Sequence, residues 1–380
     1  MTHFLSHLRM LCLFFTSLCA PIVTPHSVGA SLRIKETLNQ AMEFEAIYQF
    51  GDSLSDTGNY VREHASSAYS RLPYGQTYYP TGRASDGLIM VDYFATYFNL
   101  PLLNPYLADG SDFTQGVNFA VVGATANGGD YSLATQLSWF RCHLNSTFSD
   151  PMAIKERLQK SLVLMGEIGG NDFNGPFYQG KSIQEVCKLI PGVVKTIKDA
   201  IEEVISFGAT NIVVPGNFPI GCVPLYLVKF ATNDTSKYDE LECLKDYNDF
   251  SKFYNQQLLQ AIQQLQQVHP DVAIVYADYY SALISVIINA PQLGIEQDGT
   301  KKACCGAGNN PYNYGTKSCG SSGASVCEDP SKRINWDGVH MTQQGNIFVG
   351  EFLLQQFVPA LQKHLRTRLR EPRNLRDYLK

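Results

Sequence analysis

Four short apolar runs recur along the chain: Ala46-Ile47-Tyr48-Gln49-Phe50, Ser161-Leu162-Val163-Leu164-Met165-Gly166, Asn211-Ile212-Val213-Val214-Pro215 and Val272-Ala273-Ile274-Val275-Tyr276-Ala277. Such runs, apolar on both alternating faces, are the pattern of strands with no wet side. Between and after them, apolar residues return every three or four positions, at Val193 to Ile205, Leu241 to Val268 and Thr342 to about Leu365. That spacing builds helices with one apolar stripe. Strands joined through helices run parallel, so the sequence predicts an α/β fold with helices on both faces of one sheet. No linker composition or internal repeat interrupts it, and a single domain is expected over residues 31–365. The Gly/Ser/Cys-rich segment from Cys304 to Cys327 reads as a long loop pinned by its own disulfides.

The two ends read differently. Arg9, the apolar run Met10 to Ala20 and the small-residue pattern Val28-Gly29-Ala30 form a secretory signal peptide over residues 1–30. The apolar run falls short of the roughly 20 residues a membrane span needs, so no stable membrane insertion is expected. Residues 366–380 form a basic tail, read as solvated rather than as a sorting or membrane-surface element. Export places the mature chain outside the cell, in the apoplast, or in the vacuole. Of ten cysteines, Cys12 and Cys19 leave with the signal. Most of the even set that remains, Cys142, Cys187, Cys222, Cys243, Cys304, Cys305, Cys319 and Cys327, is expected to form disulfides. No Cys-x-x-Cys occurs and the histidines are scattered, so no metal is expected. Two sequons make Asn145 and Asn233 candidate glycosylation sites. A net charge of −5 over 380 residues excludes a broad nucleic-acid surface.

The chemistry begins where the first strand ends, in Gly51-Asp52-Ser53-Leu54-Ser55-Asp56-Thr57-Gly58-Asn59. Strand ends face the ligand crevice of an open α/β sheet. A serine there needs a base, an acid to orient the base, and donors for an oxyanion. Asp337-Gly338-Val339-His340, just before the last helix, offers a carboxylate and an imidazole three residues apart, with Thr342 placed to cap that helix. Gly169-Gly170-Asn171-Asp172 sets an amide on a glycine-rich turn, and Gly123 leaves a backbone N–H unshielded by a side chain. With the N–H of Ser53, these form a three-donor oxyanion site.

In this order the four blocks, Gly51-Asp52-Ser53-Leu54, Gly123, Gly169-x-Asn171-Asp172 and Asp337-x-x-His340, resemble those of the GDSL, or SGNH, hydrolases. "LPYGQTYYPTGRASDG", "GVNFAVVGATA", "GEIGGNDFN", "VPGNFPIGCVP" and "CCGAGNNPYNYG" resemble the plant branch, and within it the acetylajmalan esterase and sinapine esterase subgroup. The resemblance runs from about Ile47 to Pro359. It implies a three-layer α/β/α sandwich with a flavodoxin-like parallel sheet and no cofactor, in a monomer acting on a small-molecule ester. It further implies Ser53 as nucleophile, His340 as base, Asp337 as acid, and Ser53, Gly123 and Asn171 as oxyanion donors. The Gly-x-Ser-x-Gly elbow of the α/β-hydrolases is absent.

Neighbouring residues receive structural roles. Asp52 is expected to bind backbone N–H groups, Asp172 to brace the Asn171 turn, Asp56 and Asn59 to cap the following helix, and the aromatic stretch Tyr69 to Tyr79 to serve packing. The expected activity is hydrolysis of acyl esters of plant specialised metabolites through an acyl-serine. The same intermediate given to another alcohol would make a serine acyltransferase, with an ester such as chlorogenate as donor. A non-catalytic ligand-binding module is the third reading.

Overall fold

The computed structural model describes residues 42–78 and 82–370. Its central sheet has five strands: β1 Ala46–Gln49, β2 Gly116–Asn118, β3 Ser161–Leu164, β4 Asn211–Pro215 and β5 Ala273–Ala277. They lie in the order β2-β1-β3-β4-β5, every neighbouring pair parallel. This is the flavodoxin-like order, with its topological switch between β1 and β3. The chain leaves β1 for one side and returns to the other. The crevice opens beyond the carboxyl ends of those two strands.

Alternate side chains face opposite layers. Tyr48, Val163, Ile212 and Val214 join a core completed by Phe140, Ile197, Ile201, Leu258 and Ile262 from helices Leu133–Thr147, Ile190–Phe207 and Lys245–Val268. On the other face, helices Met90–Tyr97, Tyr279–Ile288 and Gln343–Arg370 pack together, with Phe94 edge-on to Phe357 at 5.4 Å. Three layers result.

The four strands read from the apolar runs are present within one or two residues. The missed strand, β2, is three residues long and carries Gly116 and Asn118, so it has neither the length nor the composition of a strand signal. Pairing with β1 makes it a strand. The final helix runs to Arg370, five residues into the segment read as tail. The signal segment 1–30 and residues 371–380 lie outside the described residues.

Disulfides join Cys222 to Cys243, Cys304 to Cys327 and Cys305 to Cys319. The loop from Cys304 to Cys327 is therefore stapled to itself twice. Cys142 and Cys187 are free thiols on separate helices, Leu133–Thr147 and Ile183–Cys187, so six of the eight cysteines pair, in line with the expectation that most of them do.

Beyond the strands, β1 and β3 keep pairing: Phe50 N donates to Leu164 O at 3.0 Å and Asp52 N to Glu167 O at 2.8 Å. The approach is so close that a Cβ on Gly166 (φ 75°) would lie 1.6 Å from Phe50 O. Only glycine fits there. This contact carries Ser53 and the turn before Asn171 out of the sheet side by side.

Candidate active site

Ser53 stands at the apex of a turn held from several sides. Asp52 Oδ1 accepts the Leu54 N–H at 3.0 Å, and Asp52 O accepts the N–H groups of Ser55 and Asp56 at 3.1 and 3.0 Å. Gln136 clamps Gly51 with both ends of its amide, Oε1 accepting from Gly51 N at 2.9 Å and Nε2 donating to Gly51 O at 2.8 Å. Beneath the turn, Ser55 Oγ receives Gln49 Nε2 and donates to Glu167, whose other oxygen accepts from Tyr279. Burial pushes Asp52 up to about 8 and Glu167 up to about 7. Asp56 caps as expected, accepting from the N–H groups of Gly58, Asn59 and Tyr60, and it also holds Val122 N at 3.0 Å. Asn59 does not cap. Its amide instead bonds Asn118 O, Ala120 O and Leu107 N, tying the Ser53 loop to the chain beside β2.

The partner turn is equally determined. Asp337 Oδ1 accepts from Val339 N at 3.0 Å and His340 N at 2.9 Å, so the carboxylate folds its own chain back and fixes the imidazole beside it. Oδ2 meets His340 Nδ1 at 2.8 Å, and His340 Nε2 meets Ser53 Oγ at 2.8 Å. A carboxylate only accepts, so Nδ1 carries the hydrogen and the Nε2 lone pair faces the serine hydroxyl. Burial alone would lower the His340 pKa, but the charge and hydrogen bond of Asp337 outweigh it and leave the imidazole above its ordinary value. Burial likewise would raise Asp337, and His340 together with the surrounding donors hold it below its ordinary value. Thr342 Oγ1 accepts Gly345 N at 2.9 Å and caps the last helix.

The stapled loop supports this turn directly. Cys304 N donates to Asn335 O at 3.0 Å and Cys305 N to Trp336 O at 2.6 Å, immediately before Asp337. Sequence reading assigned the disulfides to the loop alone. They also brace the Asp337 turn.

Asn171 reaches the site from the start of helix Gly170–Tyr178, which is anchored by the buried ring of Phe173 against Phe250 and Tyr254. Burying that ring contributes on the order of 2 kcal/mol. Asn171 Nδ2 donates to Ala124 O at 3.0 Å and to Asp52 Oδ2 at 3.2 Å. Both amide hydrogens are thus engaged, and an oxyanion must share or displace the longer bond, the one to Asp52. Gly123 is exposed with φ 79° and nothing beside its missing side chain. Its neighbours Val122 and Ala124 are tied to Asp56 and Asn171 respectively. Asp172 holds the same loop, accepting from Ala126 N at 2.7 Å and Asn127 N at 2.9 Å. Asn171→Ala is expected to leave KM nearly unchanged and lower kcat on the order of 10² to 10³. Steady-state kinetics on a p-nitrophenyl ester distinguish this from a binding role, in which KM alone would rise.

Ser53, His340 and Asp337 are therefore linked side chain to side chain, Asn171 reaches Asp52 beside the serine, and Gly123 lies in the loop to which Asn171 is bonded. The residues 47–353 match the model of a known family, the GDSL-like lipases/acylhydrolases. The chain belongs to that family. Among its relatives, acetylajmalan esterase 1 of Rauvolfia serpentina is 40% identical over 337 residues, covering 84% of this chain and 88% of that one. Acetylajmalan esterase 2 of the same plant is 39% identical over 360 residues, covering 89% and 98%. A GDSL esterase/lipase of Arabidopsis thaliana is 39% identical over 339 residues and covers 83% of each chain. This GDSL protein is a serine carboxylic ester hydrolase.

Beside Ser53 the GDSL fold opens a cavity of about 90 Å³, lined by Asn174, Tyr178, Phe218, Val223, Tyr226 and Val339 among others. A second, largely apolar cavity of about 40 Å³ adjoins it across Leu54, Phe218, Val223 and Val339. Among the described residues, no helix is long and apolar enough to cross a membrane. Among the residues that the sequence reading missed around this machinery are Gln136 and Tyr74. Gln136 gave no signal. Tyr74 lies in the stretch read as packing, and its hydroxyl donates to Asp337 Oδ2 at 2.7 Å.

Proposed function

We propose that Ser53 attacks the ester carbonyl, His340 takes its proton, and Asp337 holds the imidazole in the tautomer that allows this. The continuous relay from Asp337 through His340 to Ser53, both links at 2.8 Å, carries the reading. As the Oγ–C bond forms, the carbonyl electron pair moves onto oxygen, where the N–H groups of Ser53 and Gly123 and the Asn171 amide receive it. Collapse of this intermediate breaks the bond to the alcohol, and His340 returns its proton to the departing oxygen. Water repeats the sequence on the acyl-serine and frees the acid.

The substrates are small acyl esters of plant specialised metabolites, taken with the acyl group toward the cavity beside Ser53. The names of the Rauvolfia relatives support this class, as does the modest cavity volume. The enzyme works in the secretory pathway or beyond it, glycosylated at Asn145 and Asn233. The three disulfides and the exposure of both asparagines support that placement.

The decisive assay follows the acyl group by mass spectrometry, with acetyl and hydroxycinnamoyl esters as donors and with or without an added alcohol or sugar acid. Free acid should be released at a rate that the acceptor hardly changes, because water at roughly 55 M wins unless a bound acceptor has a large effective molarity. A new ester accumulating in place of free acid would replace hydrolysis with acyl transfer.

A further inference from the structure

Asp337 Oδ2 accepts two hydrogen bonds, from His340 Nδ1 at 2.8 Å and from the Tyr74 hydroxyl at 2.7 Å. Tyr74 comes from a segment more than 250 residues earlier in the chain and is buried, with 5% of its surface exposed. Its ring is wedged edge-on between Tyr69 at 4.8 Å and Trp336 at 6.0 Å. Trp336 is fully buried, immediately precedes Asp337 and packs with both loop disulfides. Tyr69 in turn stands edge-on to the His340 ring at 6.1 Å. Backbone bonds hold the segment in place, Gly75 N to Ser85 O at 3.0 Å and Gln76 N to Pro73 O at 3.2 Å. The hydroxyl is thus delivered to the carboxylate by a rigid aromatic stack.

A donor on Oδ2 spreads the carboxylate charge that would otherwise act wholly on the imidazole. We infer that Tyr74 is a positioning residue that fixes Asp337 and sets the basicity of His340. This inference rests on the assignment of Asp337 and His340 as acid and base. Consistent with it, burial pushes Asp337 up, and against that push the Tyr74 bond joins the three contributions of His340 in holding the carboxyl below its ordinary value. The other titratable groups around Asp337 are His340, Tyr69 and Tyr314, and those facing His340 are Asp337, Asp52 and Tyr69. Tyr314 belongs to the stapled loop, and its ring lies against Gly338. None of these groups changes in the variant proposed below.

Tyr74→Phe keeps the ring and its packing and removes only the donor. The Asp337 carboxylate then acts undivided on the imidazole, so His340 holds its proton to higher pH. A base must be unprotonated to work, so the acid limb of the kcat/KM profile should move to higher pH, by about half to one unit. KM should not change. In the proton spectrum, the low-field resonance of the His340 Nδ1–H should move further downfield. An unmoved acid limb and resonance in the folded variant would overturn the inference and leave the Ser53 relay untouched. Full activity in Ser53→Ala would instead remove the assignment on which the inference rests.

Discussion

Ser53→Ala is expected to lower ester turnover on the order of 10⁵-fold or more, the largest single effect available in this protein. Replacing a serine nucleophile removes the covalent route entirely, and what survives comes only from binding and oxyanion donors. The variant should fold normally. Among the described residues the Ser53 hydroxyl bonds only His340 Nε2, and the turn that presents it is held by Asp52, Gln136 and the β1/β3 backbone rather than by the serine. A fluorophosphonate probe sharpens the test, since it should label the wild-type chain once, at Ser53, and fail to label the variant. A folded Ser53→Ala protein that retained turnover would end the nucleophile assignment, as would labelling at another serine.

How much of this was legible beforehand depended on how local the determining interaction is. The nucleophile turn and the Asp337 turn are written in consecutive residues, because Asp52 and Asp337 fold their own neighbours through side-chain to backbone bonds. The four longer strands were legible for the same reason: burial on both faces leaves an uninterrupted apolar run. β2 was not, since three residues including a glycine become a strand only through pairing with Ile47, Tyr48 and Gln49. Asn59 was misread because a polar residue at a helix start has a good local partner, and here a long-range set of three backbone groups wins. Cysteine parity pointed to disulfides, and six of the eight do pair. Cys142 and Cys187 count toward an even number, but each sits on its own helix, and pairing needs Cα atoms within about 7 Å.

Tyr74 shows what spacing cannot supply. An aromatic residue in a tyrosine-rich stretch is ordinarily core or surface packing, and its ring does pack. Only the fold brings its hydroxyl to a carboxylate at the other end of the chain. The same holds for the stapled loop, whose bonds to Asn335 and Trp336 turn a stabilising device into a support for the acid.

Asp337→Asn tests that support from the acid itself, and it should cost about 10⁴-fold in kcat. Four donors converge on the carboxylate: backbone N–H groups of Val339 and His340 on Oδ1, and Tyr74 and His340 Nδ1 on Oδ2. An asparagine must put its NH₂ at one of these positions. The two backbone donors cannot rotate away, so the NH₂ takes the Oδ2 position, where Tyr74 can turn its hydroxyl to accept. His340 Nδ1 must then accept as well, which moves the ring hydrogen to Nε2. That hydrogen faces Ser53, and the base can no longer take the serine proton. The pH profile carries a second signature. With the Asp337 charge gone, burial is left to act on the imidazole, so its pKa falls and the acid limb of the residual kcat/KM moves to lower pH. This is opposite to the shift expected for Tyr74→Phe, so the two variants measured side by side separate loss of the acid from loss of its donor. A drop smaller than tenfold, or an acid limb that moves upward, would show that Asp337 does not orient the base.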